Sequence, residues 1–93
     1  PETVGFEVEG VRFAVSHGTG PKRGYEDRVA RVGKEKDADV SVAGHTHEVL
    51  DTTVEGVRLL NPGSCTGAPP ATETTMMRVV VDEGEIEVET IRL

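Results

Sequence analysis

The chain has 93 residues, enough for one small domain. Its formal net charge is -7, from 17 acidic and 10 basic residues, which excludes a non-specific nucleic-acid or anionic-membrane binder built on a basic surface. Cys65 stands alone, which excludes an intrachain disulfide and a cysteine-built metal cluster. No stretch approaches membrane-spanning length and no basic-then-apolar pattern opens the chain, so a cytoplasmic location is expected.

In chain order, Thr3 to Val8 alternates and is followed by the turn signal Glu9-Gly10. Val11 to Ser16 reads as a second strand, so the two form a hairpin that runs directly into His17-Gly18. Thr19 to Gly24, with two glycines and a proline, is loop. Tyr25 to Lys36 reads as a helix: Tyr25, Val29 and Val32 make one apolar stripe, with Glu26 and Asp27 in the first turn and Lys34 and Lys36 in the last. Gly33 weakens that helix.

Val40 to Ala43 is a short buried strand running into Gly44-His45-Thr46-His47. Glu48 to Val54 alternates, Glu55-Gly56 turns, and Val57 to Leu60 is the next strand, ended by Asn61-Pro62-Gly63-Ser64. Residues 65–72 are loop. Thr75 to Val81 and Glu85 to Leu93 form a last hairpin around Asp82-Glu83-Gly84. The result is an α/β chain, mostly strands, with one main helix.

The histidines, His17, His45 and His47, each follow an apolar strand. The segment between the first and the other two reads strand, helix, strand. Such a unit places its strands parallel, with a right-handed crossover. Its C-terminal strand ends then share one sheet edge, where open α/β sheets hold ligands. In extended chain, His45 and His47 would point to the same side. Gly18 and Gly44 beside them allow close backbone approach. Neutral imidazoles of this kind suit Mn, Zn, Ni or Fe.

Gly44-His45-Thr46-His47 resembles the GH[ST]H signature of the calcineurin-like metallophosphoesterases. The strand ending in His17-Gly18 and the downstream Asn61-Pro62-Gly63-Ser64 resemble neighbouring motifs of that family, the latter in its YfcE-like phosphodiesterase subgroup. The resemblance spans nearly the whole chain from Val11 onward. It implies the C-terminal portion of a metallophosphoesterase α/β/β/α sandwich, so that residues 1–93 are part of a single domain. It implies two divalent metal ions, with His17 and His45 on one and His47 on the other. Gly18, Gly44, Thr46, Asn61 and Ser64 would line the pocket or support the ligands. The implied reaction is metal-dependent hydrolysis of a phosphate ester by a metal-activated hydroxide.

The family's earlier motifs, D-x-H, the bridging G-D and G-N-x-[DH], have no counterpart here. Asp37 and Asp39 precede the Val40 strand, Asp51 is mid-strand and Asp82 lies in a turn, so none ends a strand beside the histidines. The chain alone is therefore expected to hydrolyse phosphodiesters poorly. Val11–Ser16 and Val40–Ala43 would normally pair with strands of the missing half, and without it they are expected to leave an edge and an apolar face exposed. Self-association, or pairing with a missing N-terminal half, follows from that. The alternative is a non-catalytic Vps29-like scaffold or metal-binding interaction module. Cys65 is expected to be a small packed residue.

Overall fold

Strand β1 (Thr3–Val8) and strand β2 (Val11–Ser16) pair antiparallel, with Val4 opposite Val15 and Phe6 opposite Phe13. Helix α1 (Tyr25–Glu35) crosses to strand β3 (Val40–Ala43), which lies parallel to β2. Strand β4 (Val49–Val54) and strand β5 (Val57–Pro62) form a second antiparallel pair, and β5 adds parallel to β3. The order in this five-stranded sheet is β1-β2-β3-β5-β4. Strands β6 (Thr75–Asp82) and β7 (Glu85–Arg92) form a separate two-stranded sheet. The computed structural model describes residues 3–18, 20–67 and 73–93; Thr19, in the loop after His17, and part of the expected 65–72 loop fall outside them.

The three tight hairpins share one turn chemistry. Glu9-Gly10, Glu55-Gly56 and Glu83-Gly84 all have positive φ at both residues, between 48° and 84°. That pattern matches the right-handed twist of the strands it joins, which is why it closes two-residue hairpins. The glutamates accept a mildly unfavourable backbone so that the glycines can complete the turn.

The five-stranded sheet is covered on both faces, by different elements. On one face Tyr25, Val29 and Ala30 of α1 pack against Ala43, Val57 and Leu59. On the other, Val11, Phe13, Val40 and Leu60 meet the inward row of the β6–β7 hairpin, including Met77, Val79 and Val88. Leu59 and Leu60 serve opposite faces, as the alternation of a strand requires. The hairpin tip is tied to the β1–β2 turn by Gly84 N donating to Glu9 O at 2.7 Å. Its base is tied by Thr75 N donating to Ser64 O at 2.9 Å. The layers run helix, sheet, hairpin.

The expectation of an open edge at Val11–Ser16 and Val40–Ala43 is corrected: β2 and β3 each have partners on both sides, and the sheet ends at β1 and β4. The chain's own hairpins β1–β2 and β4–β5 flank the parallel core and occupy those positions. An apolar row is nonetheless exposed where the β6–β7 hairpin does not reach, formed by Val4, Phe6, Val8 and Val15. Phe6 keeps one ring face covered by stacking on Phe13, with ring centres 5.2 Å apart. Cys65 is exposed rather than packed, because it lies in a turn after β5, beyond the sheet.

The buried stripe of α1 also differs from the expected one. Ala30 and Gly33 join Tyr25 and Val29 on it, while Val32 is half-buried at its margin. Gly33 has a packing reason. A Cβ there would sit 2.8 Å from Val57 Cγ1 and 3.1 Å from Ser41 Cβ. Ser41 is itself fully buried and donates its hydroxyl to the Val29 carbonyl at 2.8 Å, drawing helix and sheet together. Alanine is worth about 1 kcal/mol over glycine in a helix, but overpacking costs roughly 1–3 kcal/mol. Gly33→Ala is therefore expected to lower stability, read as a lower urea midpoint with an unchanged slope; a higher midpoint would show that the helix can move off the sheet at no cost.

Between β4 and β5, Arg58 grips Asp51 with two hydrogen bonds, at 2.9 and 2.8 Å. Hydrogen bonding to this guanidinium holds the Asp51 carboxyl below its ordinary value, against a smaller opposing effect of burial. The stabilisation this provides is present above the unfolded pKa of 3.8 and is lost as pH falls through the lower folded value. Both side chains are about one-third exposed, so solvent screens the pair and it is worth under about 1 kcal/mol. Asp51→Asn should cost that small amount at pH 7, and the difference from wild type should vanish in thermal melts carried down toward pH 2.

Candidate metal centre

The parallel strands β2, β3 and β5 end on the same side of the sheet, and each delivers a loop there: His17-Gly18, Gly44–His47 and Asn61–Ser64. Gly44 N donates to His17 O at 3.0 Å, carrying the β2–β3 pairing one step past the strands. This brings the His17 and His45 rings together edge-on, with centres 5.5 Å apart. Gly18 makes the approach possible. Its φ is 82°, and a Cβ on it would stand 3.1 Å from both the Gly44 carbonyl oxygen and Tyr25 Cε1.

The loop Gly44–His47 is not extended. His45 has φ 77° and His47 φ 61°, both in the left-handed region. Thr46 N donates back to Gly44 O at 3.0 Å, so His45 is the apex of a three-residue γ-turn of the rare positive-φ kind. The expectation that His45 and His47 share a side because the chain is extended is therefore corrected: the chain folds back at His45 and takes positive φ again at His47, so the alternation of an extended strand does not apply. Non-glycine residues in this region carry strain of roughly 1–3 kcal/mol each and persist only when surrounding bonds hold them.

Those bonds come from Asn61 and Tyr25. Asn61 is fully buried at the end of β5. Its Nδ2 donates to Thr46 Oγ1 at 2.9 Å and to Gly44 O at 3.2 Å, and also contacts the Tyr25 hydroxyl at 3.2 Å. Its Oδ1 accepts from Gly63 N at 2.9 Å, which closes its own loop. The Tyr25 hydroxyl donates to Gly44 O at 2.5 Å. Burial raises the Tyr25 pKa above its usual value, so the hydroxyl keeps its proton for that bond. Gly63 has φ 81°, and a Cβ would collide with Thr75 Oγ1, 2.1 Å away, so only glycine fits there.

Ser64 does a different job. Its hydroxyl bonds Thr66 Oγ1 at 3.1 Å and its carbonyl accepts from Thr75 N, so it ties the loop after β5 to the base of β6. The loop after His17 is held by Arg28, whose guanidinium donates to Arg23 O at 3.0 Å and to Pro21 O. The Gly20 carbonyl of that loop accepts from His45 Nε2 at 2.9 Å, which leaves Nδ1 as the nitrogen able to accept or to ligate. Across the rim, Lys22 pairs with Glu48 at 2.6 Å.

Two imidazoles bonding one ion at about 2.1 Å would have ring centres roughly 5 Å apart. The His17–His45 ring centres, 5.5 Å apart, lie close to that spacing. A groove of 660 Å³ opens beside it, lined by Val15, Ser16, His17, Gly18, Tyr25 and Arg28 among others. Ser16 Oγ is buried there without a hydrogen-bond partner among the described residues. Among the described residues, no three His, Cys, Asp or Glu side chains converge on one point. Asp39 lies at the opposite end of β3, accepting from Arg12 N at 2.9 Å, and Asp51 faces Arg58.

Sequence reasoning placed the histidines and Asn61 at this edge but missed Tyr25 and Arg28. Tyr25 entered only as an apolar position of the helix stripe. The available signal was its hydroxyl: a tyrosine on the buried face of a helix needs a polar partner, and here the loop is that partner.

Parallel strands that deliver histidine-bearing loops to one edge, with a helix on one face and a second sheet on the other, define an α/β protein with its candidate site at the strand ends. The calcineurin-like phosphoesterase superfamily domain matches residues 1–84, and the chain belongs to that family. It is 37% identical over 87 residues to a probable metallophosphoesterase of Methanothermobacter thermautotrophicus, covering 94% of this chain and 50% of that protein. It thus spans about half the length of that relative. Among solved structures it resembles a novel archaeal phosphodiesterase, at 25% identity and a TM-score of 0.70, over 99% of this chain and 51% of that one. A Vps29 variant from Entamoeba histolytica shares the fold at 24% identity and a TM-score of 0.78, over 99% of this chain and 61% of that one. Among the described residues no helix is long and apolar enough to cross a membrane.

Replacing Asn61 by alanine removes the acceptor of Gly63 N and the donor to Thr46 Oγ1 at a part-buried place, while Gly44 O keeps the Thr46 amide and the Tyr25 hydroxyl. Each such loss costs roughly 1–3 kcal/mol, so Asn61→Ala should destabilise the protein by at least about 2 kcal/mol in urea unfolding, more than truncation of a surface residue does.

Proposed function

We propose that these 93 residues are the C-terminal part of a metallophosphoesterase domain and supply three ligands of a two-metal centre that hydrolyses a phosphate ester. The observation that carries this reading is the His17–His45 pair, two imidazoles 5.5 Å apart at the ends of adjacent parallel strands. His17 and His45 would hold one divalent ion and His47 the other, with Mn, Zn, Ni or Fe all suited to imidazole. Bound metal supplies a hydroxide near neutral pH and charge to offset the phosphoryl oxygens. The protein's own contribution is positional: Gly18 and Gly44 keep the loops close, Thr46 and Asn61 hold the His45 turn, and Ser64 braces the loop behind them. A phosphodiester is the favoured substrate class, supported by the archaeal phosphodiesterase of the same fold.

The remaining ligands, a bridging carboxylate among them, would come from sequence outside these residues, since Asp39 and Asp51 are engaged by Arg12 N and Arg58 and no group of three His, Cys, Asp or Glu side chains gathers among the described residues. The exposed row Val4, Phe6, Val8 and Val15 is the surface this reading gives to the rest of the domain or to a second copy. That same row favours a second reading, a non-catalytic scaffold of the Vps29 kind, in which it would seat a partner protein.

Isothermal titration with Zn²⁺ or Mn²⁺ distinguishes these readings from a chain without a metal site. Wild type should bind, and His17→Ala and His45→Ala should each weaken binding at least about tenfold, or 1.4 kcal/mol, with little loss of stability because both rings are exposed. Equal affinity in wild type and both variants would sink the assignment. Turnover of a model phosphodiester by the 93 residues alone should stay near background.

A further inference from the structure

The γ-turn at His45 needs a stabiliser that does not move with the loop. Three donors meet at the Gly44 carbonyl: Thr46 N from within the turn, Asn61 Nδ2 from β5, and the Tyr25 hydroxyl from α1. The first belongs to the turn and cannot anchor it. Asn61 divides its amide among three acceptors. Tyr25 makes the shortest of the three contacts, and it is rigidly mounted: the residue is only 4% exposed, begins α1 and packs in the core with Val29, Ala43 and Leu59. Its ring also lies against Gly18, the residue after His17, where a Cβ would come within 3.1 Å of Cε1. One side chain therefore touches both histidine loops, the first through its ring and the second through its hydroxyl.

We infer that Tyr25 is a positioning residue for the histidine pair: its hydroxyl, bonded to the Gly44 carbonyl, holds His45 in its strained turn, and its ring against Gly18 sets the spacing to His17. Its hydroxyl is engaged by the Gly44 carbonyl. It acts through the backbone of the Gly44–His47 loop, and through that backbone on how well two imidazoles can share one cation. The metal part of this inference rests on the function proposed above; the conformational part does not.

Tyr25→Phe tests it, since phenylalanine keeps the ring and its packing and removes only the hydroxyl. Native-state hydrogen exchange at the Thr46 amide, the turn's own donor, should speed up about three- to tenfold, the loss of one hydrogen bond, while the amides of β3 and β5 keep their protection. Zn²⁺ affinity by titration should fall by a similar factor. Val79→Ala is the control, a truncation on the opposite face of the sheet that lowers global stability without touching Tyr25 or the loop. It should leave both the Thr46 exchange relative to β3 and the Zn²⁺ affinity unchanged. Thr46 exchange relative to β3 that is the same in Tyr25→Phe and wild type, or that rises equally in Val79→Ala, overturns the inference. If wild type binds no Zn²⁺ or Mn²⁺, the metal reading fails by itself, and the exchange measurement still decides whether Tyr25 holds the turn.

Discussion

Much of this molecule turns on where one carbonyl oxygen finds its partners. Gly44 O sits at the point where β3 gives way to loop, and donors from the turn itself, from α1 and from β5 all reach it. A buried carbonyl must be satisfied, and one satisfied from three elements locks those elements relative to each other. The two left-handed histidines are possible because that lock offsets their strain.

The rest of the fold prepares that meeting. Parallel pairing of β2, β3 and β5 sends their ends to one edge. The helix is pulled close by Gly33 and by Ser41 bonding its backbone, which places Tyr25 at the right height above the sheet. The β6–β7 hairpin works on the opposite face and at the base of the Asn61–Ser64 loop, where Thr75 replaces the side chain that Gly63 lacks. These arrangements are structural, yet each bears on the position of a histidine ring. The exposed apolar row on β1 and β2 lies outside this scheme. It marks surface that the chain's own elements leave uncovered, in a protein that spans half the length of a relative it matches.

Most of the fold was legible in advance, for specific reasons. Glu-Gly pairs between alternating runs announced three hairpins, and the 3.6-residue pattern after Tyr25 announced the helix. The strand-helix-strand order implied a parallel pair, because a crossover of that length has one favoured hand. The pairing of β3 with β5 was not legible. Which strands neighbour each other depends on contacts distant in sequence, and neither pattern nor propensity encodes them. The exposure of Cys65 escaped for a related reason: burial of a small loop residue depends on what the loop lies against.

Sequence by itself determined the elements, their turns, the family motifs and the presence of three histidines at strand ends, since each of these is local in chain order. Tertiary structure decided how the histidines are aimed. His45 and His47 look like neighbours on one side of an extended strand, and they are instead residues on a folded loop with positive φ. Backbone in that region is unfavourable on local grounds, so local reasoning cannot choose it. It exists because Tyr25, far earlier in the chain, and Asn61, well after the loop, bond the same carbonyl once the sheet has brought them together.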